Sequence, residues 1–225
     1  MKKTSLLPTE LEIILGSLLG DSHLRNNTST IDFSHSHKQY EYLKWKHDKL
    51  NRITTNIWKT IIQNKYIRYD FKTSKKYKLD VKSISLLIWD KRNKKTVTRK
   101  WLNLLTPLSL AIWWLDDGSL TIHKGNRVGK LSTHCFSYEE HLIIQKYFEV
   151  IWDIKIDIRM EKNKYYFCRL NVTNLKKLIT IIYPYVTQIP SMIYKIDFNY
   201  KNKKYIGDFE YVYNYIKNCI NPRRD

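Results

Sequence analysis

Two apolar runs constrain this chain more than any other feature. One is Ile14-Leu15-Gly16-Ser17-Leu18-Leu19-Gly20-Asp21; the other is Leu110-Ala111-Ile112-Trp113-Trp114-Leu115-Asp116-Asp117-Gly118. Each reads as a buried helix, and each stops abruptly on a carboxylate. The C-terminal end of a helix carries partial negative charge, so an acid there does nothing for the helix itself. The two acids lie 96 residues apart in a 225-residue chain of net charge +19. Acids placed twice in this way, in so basic a chain, point to a pair brought together to hold metal ions against DNA.

The charge narrows the partner. Forty Lys and Arg face 21 Asp and Glu, and the excess is spread along the chain. That pattern favours a folded surface that neutralises phosphates. No membrane partner is expected, because no apolar run approaches the roughly 20 residues of a span. The stretch Met1 to Pro8 lacks the apolar segment of a secretory signal. Cys135, Cys168 and Cys219 are widely spaced with no CxxC pair, which reads as reduced thiols and not as a disulfide frame or zinc site. Ala111 is the only alanine, while Lys, Asn, Ile and Tyr abound. This suits an AT-rich coding genome such as an organelle's, a mitochondrion ahead of a chloroplast.

The chain also repeats itself. Asp21 pairs with Asp117, and Ser34-His35 followed by Glu41 and Leu43 pairs with Thr133-His134, Glu140 and Leu142. Leu79-Asp80-Val81 pairs with Leu170-Asn171-Val172, and Lys95 with Lys195. Similar offsets in one order predict two units, residues 1–100 and 101–225. Thr9 and Glu12 have capping-box spacing, which predicts a helix from near Glu10. Thr106 and Pro107 cap and start the second helix. Alternating polarity predicts strands over Tyr66–Lys72, Tyr77–Lys82 and Ile154–Glu161, each with one dry and one wet face. Helical patterns cover Lys38–Thr60, Ser83–Trp89, Tyr138–Ile151 and Asn174–Tyr183. Each unit therefore reads αββαββα, an α+β fold. Lys91–Lys100 is the expected linker, and a last helix near Gly207–Ile220 has no counterpart in the first half.

Gly16 and Gly20 lie four apart on one helix face, where missing side chains let another backbone approach. If that helix lies beside the one around Ala111, Asp21 and Asp117 emerge at the same end. There they would bind Mg²⁺, and two metals could activate a water and stabilise a leaving oxygen. The plainer alternative is a pair of helix-end acids, since Asp-Gly is a common turn pair. Other nuclease chemistries find no His-Asn-His cluster, GIY-YIG start or P-loop. Base reading is expected from wet strand faces. The candidates are Arg25, Asn27, Arg68, Asp70, Lys72, Lys78, His123, Lys124, Arg127, Arg159, Glu161 and Arg169, because Arg pairs with guanine and Asn with adenine. The halves differ at every one of these positions, so the target should be asymmetric. Trp113 and Trp114 read as packing.

The two runs resemble the motifs of LAGLIDADG homing endonucleases, particularly the monomeric, two-motif, intron-encoded members. Leu105 to Gly118 is a close match and Gly16 to Asp21 a looser one; the resemblance extends from about Thr9 to Ile196. It implies two pseudo-symmetric αββαββα halves, motif helices at their interface, and antiparallel sheets forming a DNA-binding saddle. It implies a monomer that cuts both strands of double-stranded DNA with Mg²⁺. Mn²⁺ is expected to substitute, and Ca²⁺ to bind without supporting cleavage. The last motif acid is catalytic in the family, which falls on Asp21 and Asp117, with the backbone carbonyls of Gly20 and Asp116 as further metal ligands. Lys95 and Lys195 match lysines lining the family's active sites, with Lys94 a competitor for Lys95. His35 and His134 match positions near the metal-bound water network, with His37 and Gln39 as local competitors; a sheet-face DNA contact is the alternative. Ile112 replaces the glycine of the second motif, so close packing must rely on Gly16 and Gly20 opposite, and Ser22 replaces the closing glycine of the first. The alternative function is an RNA maturase or DNA-binding protein on the same fold that assists splicing, with intron RNA as partner.

Overall fold

Pro8, at a first helical position where no N–H is needed, starts helix α1 (Pro8–Leu19). Glu10 completes the start by accepting the Leu7 N–H at 2.7 Å. The computed structural model describes residues 4–25, 29–63, 66–91 and 94–198. After α1 come β1 (His23–Arg25), β2 (Thr30–Ser36), α2 (Tyr40–Leu50), β3 (Trp58–Ile62), β4 (Tyr66–Lys72) and α3 (Lys78–Ile88). A short α4 (Arg99–Leu102) leads into α5 (Pro107–Asp117), β5 (Gly118–His123), β6 (Asn126–Leu131), α6 (Tyr138–Trp152), β7 (Asp157–Glu161), β8 (Tyr165–Leu170) and α7 (Val172–Val186). The αββαββα order thus occurs twice. Both antiparallel sheets have four strands in the same spatial order, β1-β2-β4-β3 and β5-β6-β8-β7.

Helices α1 and α5 pack directly on each other. Thr106 caps α5 by accepting the Ser109 N–H, and the Ser109 hydroxyl donates across the interface to the Glu12 carbonyl at 2.9 Å. A Cβ at Gly16 would overlap the Ser109 carbonyl oxygen and press on Ile112; one at Gly20 would overlap the Asp116 side chain. The glycines of α1 therefore make room for a helix that has none of its own there. Leu108 to Asp116 are all buried. Around this pair one core runs through both units, including the stacked rings of Phe33 and Phe71.

Several elements differ from the sequence expectation. The helix expected over Lys38–Thr60 stops at Leu50, and Trp58–Ile62 forms β3. Trp58, Lys59, Ile61 and Ile62 are all exposed, so this edge strand carries no one-sided pattern. The segment Tyr77–Lys82 is not a strand. Ser74 accepts the Lys76 N–H, and α3 buries Val81, Ile84, Leu87 and Ile88. Lys78 accordingly sits exposed on the first turn of α3, away from the sheet. Asn171 caps α7 by accepting the Asn174 N–H, so its counterpart is Ser74 and not Asp80. Strand β7 begins at Asp157, after the buried Ile154 and Ile156. The expected linker is held to the second unit where it is described: Thr96 and Val97 donate to Glu140 Oε1 at 2.8 and 2.6 Å. The helix expected near Gly207–Ile220 lies outside the described residues. Among the described residues no helix is long and apolar enough to cross a membrane.

Candidate active site

The ends of α1 and α5 meet at Asp116. Its side chain is fully buried, and its oxygens accept from Lys46 Nζ at 2.7 and 3.0 Å and from the Tyr42 hydroxyl at 2.8 Å. Asp116 Oδ2 also receives the Asp21 backbone N–H at 3.3 Å. Lys46 is itself fully buried, and Nζ lies 3.3 Å from His35 Nε2. The other ring nitrogen of His35, Nδ1, lies 3.2 Å from Gln39 Oε1 and 3.6 Å from Asp21 Oδ2. An ammonium only donates and an amide oxygen only accepts. His35 is thus held as the neutral tautomer with its proton on Nδ1, facing Asp21. Burial, and next the Lys46 charge, push its pKa down to about 4, which keeps the ring neutral.

Asp116 is therefore satisfied by the fold, whereas Asp21 and Asp117 are not. Burial first, and the Asp116 charge second, raise Asp21 to about 6 and Asp117 to about 7. Two carboxylates so poised, beside a third already paired, form an oxygen donor set whose negative charge the nearby lysines offset only in part. That chemistry fits a hard divalent cation such as Mg²⁺. The triad Asp21, His35 and Asp116 has ligand atoms within 4.8 Å of one another. His35 Nε2 and both Asp116 oxygens are already engaged, so of these three the open donor is Asp21.

Two lysines complete the cluster. Lys195 Nζ donates to the Gly118 carbonyl at 2.7 Å, and its own carbonyl accepts from Trp114 Nε1 at 3.0 Å. Lys95 packs on the Phe136 ring and feels Asp117, Asp116 and Asp21; Lys94 beside it is exposed. Burial lowers the pKa of both Lys95 and Lys195. Asp21, Asp117, Lys95, Lys195 and His35 thus converge. His134 does not join them. Its Nε2 lies 3.3 Å from Glu161, with the rings of Tyr165 and Phe167 nearby, on the second sheet. Sequence reasoning missed Lys46, Tyr42 and the Asp116 carboxylate. The available signal was a lysine on the apolar stripe Tyr42, Leu43, Lys46, Leu50.

The expected DNA-reading residues divide. On the first sheet, Arg68 and Lys72 lie on one face, with Arg25 paired to Asp32 beside them. Asp70 shares that face but is only 3% exposed. It accepts from the Ser34 and Thr60 hydroxyls at 2.6 Å each and lies 2.8 Å from Arg68 Nε. Asp70 is therefore an internal support for Arg68 and not a group that meets bases. On the second sheet, Asp157 holds Arg169 at 2.8 Å and Arg159 at 3.3 Å, while Glu161 holds Lys130 at 2.7 Å. His123 and Lys124 are exposed at the β5–β6 turn. Arg127 points to the opposite face, because residues alternate along β6, and its Nε donates to the Phe198 carbonyl at 3.0 Å. Asn27 lies outside the described residues.

Two αββαββα units, joined by paired helices that present acids between two antiparallel sheets, define a LAGLIDADG-type protein with two motifs in one chain. The chain belongs to the LAGLIDADG DNA endonuclease family, whose sequence model matches residues 11–178. It is 28% identical over 207 residues to the cytochrome b mRNA maturase bI2 of Saccharomyces cerevisiae, covering 83% of this chain and 47% of that protein. It is 34% identical over 95 residues to the probable intron-encoded DNA endonuclease 3 of Mycosarcoma maydis, covering 42% of this chain and 66% of that one. A match to Protein RecA of Mycolicibacterium flavescens, 31% identical over 119 residues, covers 50% of this chain and 26% of that protein. The chain thus spans about a quarter of the RecA relatives it matches and about half of the maturase. In fold it is similar to the homing endonuclease I-WcaI, solved bound to its DNA recognition sequence. The TM-score is 0.72 at 20% identity, over 88% of this chain and 90% of that one.

Proposed function

We propose that this protein is a monomeric homing endonuclease that makes a double-strand break in a long, asymmetric DNA target by metal-dependent phosphodiester hydrolysis. One observation carries this reading: Asp21 and Asp117, distant in sequence, share one site with Lys95 and Lys195, whose charges act on both acids. Asp21, Asp117 and the backbone carbonyls of Gly20 and Asp116 would hold Mg²⁺ or Mn²⁺; Ca²⁺ would bind without supporting cleavage. Bound there, the metal supplies an activated water and charge stabilisation at the leaving oxygen. Lys95 and Lys195 stabilise charge developing on the phosphate. His35, whose Nδ1 lies 3.6 Å from Asp21 Oδ2, borders the water held there. Arg25, Arg68, Lys72, Arg159, Glu161 and Arg169, with His123 and Lys124 at the turn, face the duplex, and His134 serves there as a phosphate or base contact. Residues 1–100 and 101–225 act as the two halves, each on one half-site. I-WcaI, which shares the fold, is bound to DNA in its solved form. An organelle, and specifically a mitochondrion, is the proposed location, supported by the cytochrome b mRNA maturase relative.

That same relative favours a second reading, in which the protein assists splicing of intron RNA. Both are tested by incubating purified protein with Mg²⁺ and a plasmid carrying its own intronless insertion locus. Linear product is expected. Intact plasmid together with stimulated splicing of the intron RNA would replace the nuclease with the maturase. Asp21→Asn and Asp117→Asn should each lower cleavage at least about 100-fold while leaving duplex binding intact. Undiminished cutting by either variant would remove that residue from the active site.

A further inference from the structure

Strands β3 and β7 are the last strands of their sheets and hold the same place in the repeat. Their registers match pair by pair. Trp58, Thr60 and Ile62 lie opposite Asp70, Arg68 and Tyr66; Asp157, Arg159 and Glu161 lie opposite Arg169, Phe167 and Tyr165. Residues paired across neighbouring strands share a face, so each set of three lies on the face of Arg68 in one sheet and of Arg169 in the other. On β7 all of these positions are charged; on β3 none is. Trp58 and Ile62 are 40% and 36% exposed, and Tyr66 opposite Ile62 is 59% exposed. The Thr60 hydroxyl donates to Asp70 Oδ2 at 2.6 Å, which leaves its methyl as the group Thr60 has to offer. Lys72 Nζ lies 5.7 Å from the centre of the Trp58 ring on this same face.

Edge strands are usually guarded against unwanted pairing by charges. Strand β7 is guarded in this way and β3 is not, and exposed apolar groups gathered on one face mark a contact surface. The face is continuous with Arg68 and Lys72 in a chain of net charge +19, so its occupant is a nucleic acid. In the major groove the apolar group that a base presents is the C5-methyl of thymine, which Thr and larger apolar side chains meet. We propose that Thr60 and Ile62, flanked by Trp58, read thymine methyl groups in the half-site of the first unit. That half-site is then selected for A·T pairs by apolar contact, whereas the second is read through the charged face of β7. This rests on the reading of the sheets as a DNA-binding saddle. Intron RNA offers no such contact: uracil lacks the methyl, and the major groove of an RNA helix is too narrow for side chains.

The test measures binding in EDTA, where no strand is cut, to a duplex carrying the protein's own intronless insertion locus. Each thymine is replaced in turn by deoxyuridine, which removes one methyl and keeps every hydrogen bond. For the wild type, neighbouring thymines in one half-site should each cost about 4-fold in Kd, from about 0.8 kcal/mol per buried methyl and about 1.4 kcal/mol per tenfold. Thr60→Ser keeps the hydroxyl for Asp70 and removes only the methyl; Ile62→Ser removes the apolar branch. Each variant should lose the penalty at its own thymine and keep it elsewhere, because removing both sides of one contact is not additive. Ile61 is 58% exposed on the opposite face of the same strand, so Ile61→Ser should keep every penalty. A flat scan, penalties unchanged in both Thr60→Ser and Ile62→Ser, or penalties lost in Ile61→Ser would overturn the proposal. So would a wild-type dimer in sedimentation that Ile62→Ser abolishes, which would give this edge to a second copy of the chain. A wild type that binds no duplex would overturn the saddle and this reading with it. Binding without cleavage once Mg²⁺ is added would remove the nuclease and leave the methyl contacts standing.

Discussion

Ionising Asp117 and Asp21 comes at a cost to the fold. Burial, then the Asp116 charge, lifts them to about 7 and about 6 from 3.8. A group whose folded pKa lies above its unfolded value stabilises fully below the unfolded value. That stability is lost as pH rises through the folded pKa. His35 works with the opposite slope: its folded value near 4 lies below 6.5, so its share is lost as pH falls toward 4. Thermal melts in EDTA should therefore show Asp117→Asn gaining on the wild type as pH rises from 5 to 8. Mg²⁺ should restore the wild type but not the variant, because metal competes with protons for the carboxylates. Wild type and Asp117→Asn tracking in parallel across that range would mean the carboxylate is not strained. On the face of the first sheet proposed to meet DNA, Arg68 lies 2.8 Å from Asp70, which Ser34 and Thr60 also hold. Arg68→Ala should relax base preference at one target position, worth about 1–3 kcal/mol. Lys72→Ala should weaken all sequences alike. Sequencing of duplexes selected by each variant separates the two; uniform weakening by Arg68→Ala would make it a phosphate contact.

At the scale of elements, the α1–α5 pair is the joint on which everything else is hung. Gly16→Ala should destabilise by about 1–3 kcal/mol in urea unfolding, the usual cost of overpacking, because the obstacle is the Ser109 backbone. Gly20→Ala meets Asp116, which Lys46 and Tyr42 hold fast, so a similar loss is expected. A neutral Gly16→Ala would mean the helices are less tightly joined. This joint was legible from sequence because an apolar helix that ends in an acid has no other use for it. The repeat was legible for the same reason, being marked by Asp21 and Asp117. Strand β3 was not, since both its faces are exposed and it carries no period. The first turn of α3 imitated a strand because Tyr77, Leu79 and Val81 alternate with polar residues over too short a span. Lys46 was hard to read: its partner lies 70 residues away, and its one local mark is its place on the apolar stripe of α2. Asp70 was misjudged by its burial and Arg127 by its facing, both of which sequence fixes only when neighbouring strands are known.

At the scale of the whole molecule, a repeated scaffold carries two faces that do not repeat. The first sheet offers Arg68 and Lys72 beside Trp58; the second offers Lys130, Arg159 and Arg169, with Asp157 and Glu161 dividing them. On the proposed function, a twofold scaffold with unlike faces would recognise a target of two unlike halves. Palindromic duplexes built from either half-site twice should therefore bind more weakly than the natural site, by about 1–3 kcal/mol for each base pair misread. The net charge of +19 adds attraction that ignores sequence. If six to ten phosphates are contacted, affinity should fall about 10³–10⁵-fold between 50 and 200 mM salt. The two effects are separable, because salt weakens natural and palindromic duplexes in proportion while their ratio reports base reading. A ratio of one at every salt concentration would leave only charge holding the DNA. The two acids would then have no means of finding a single locus to cut.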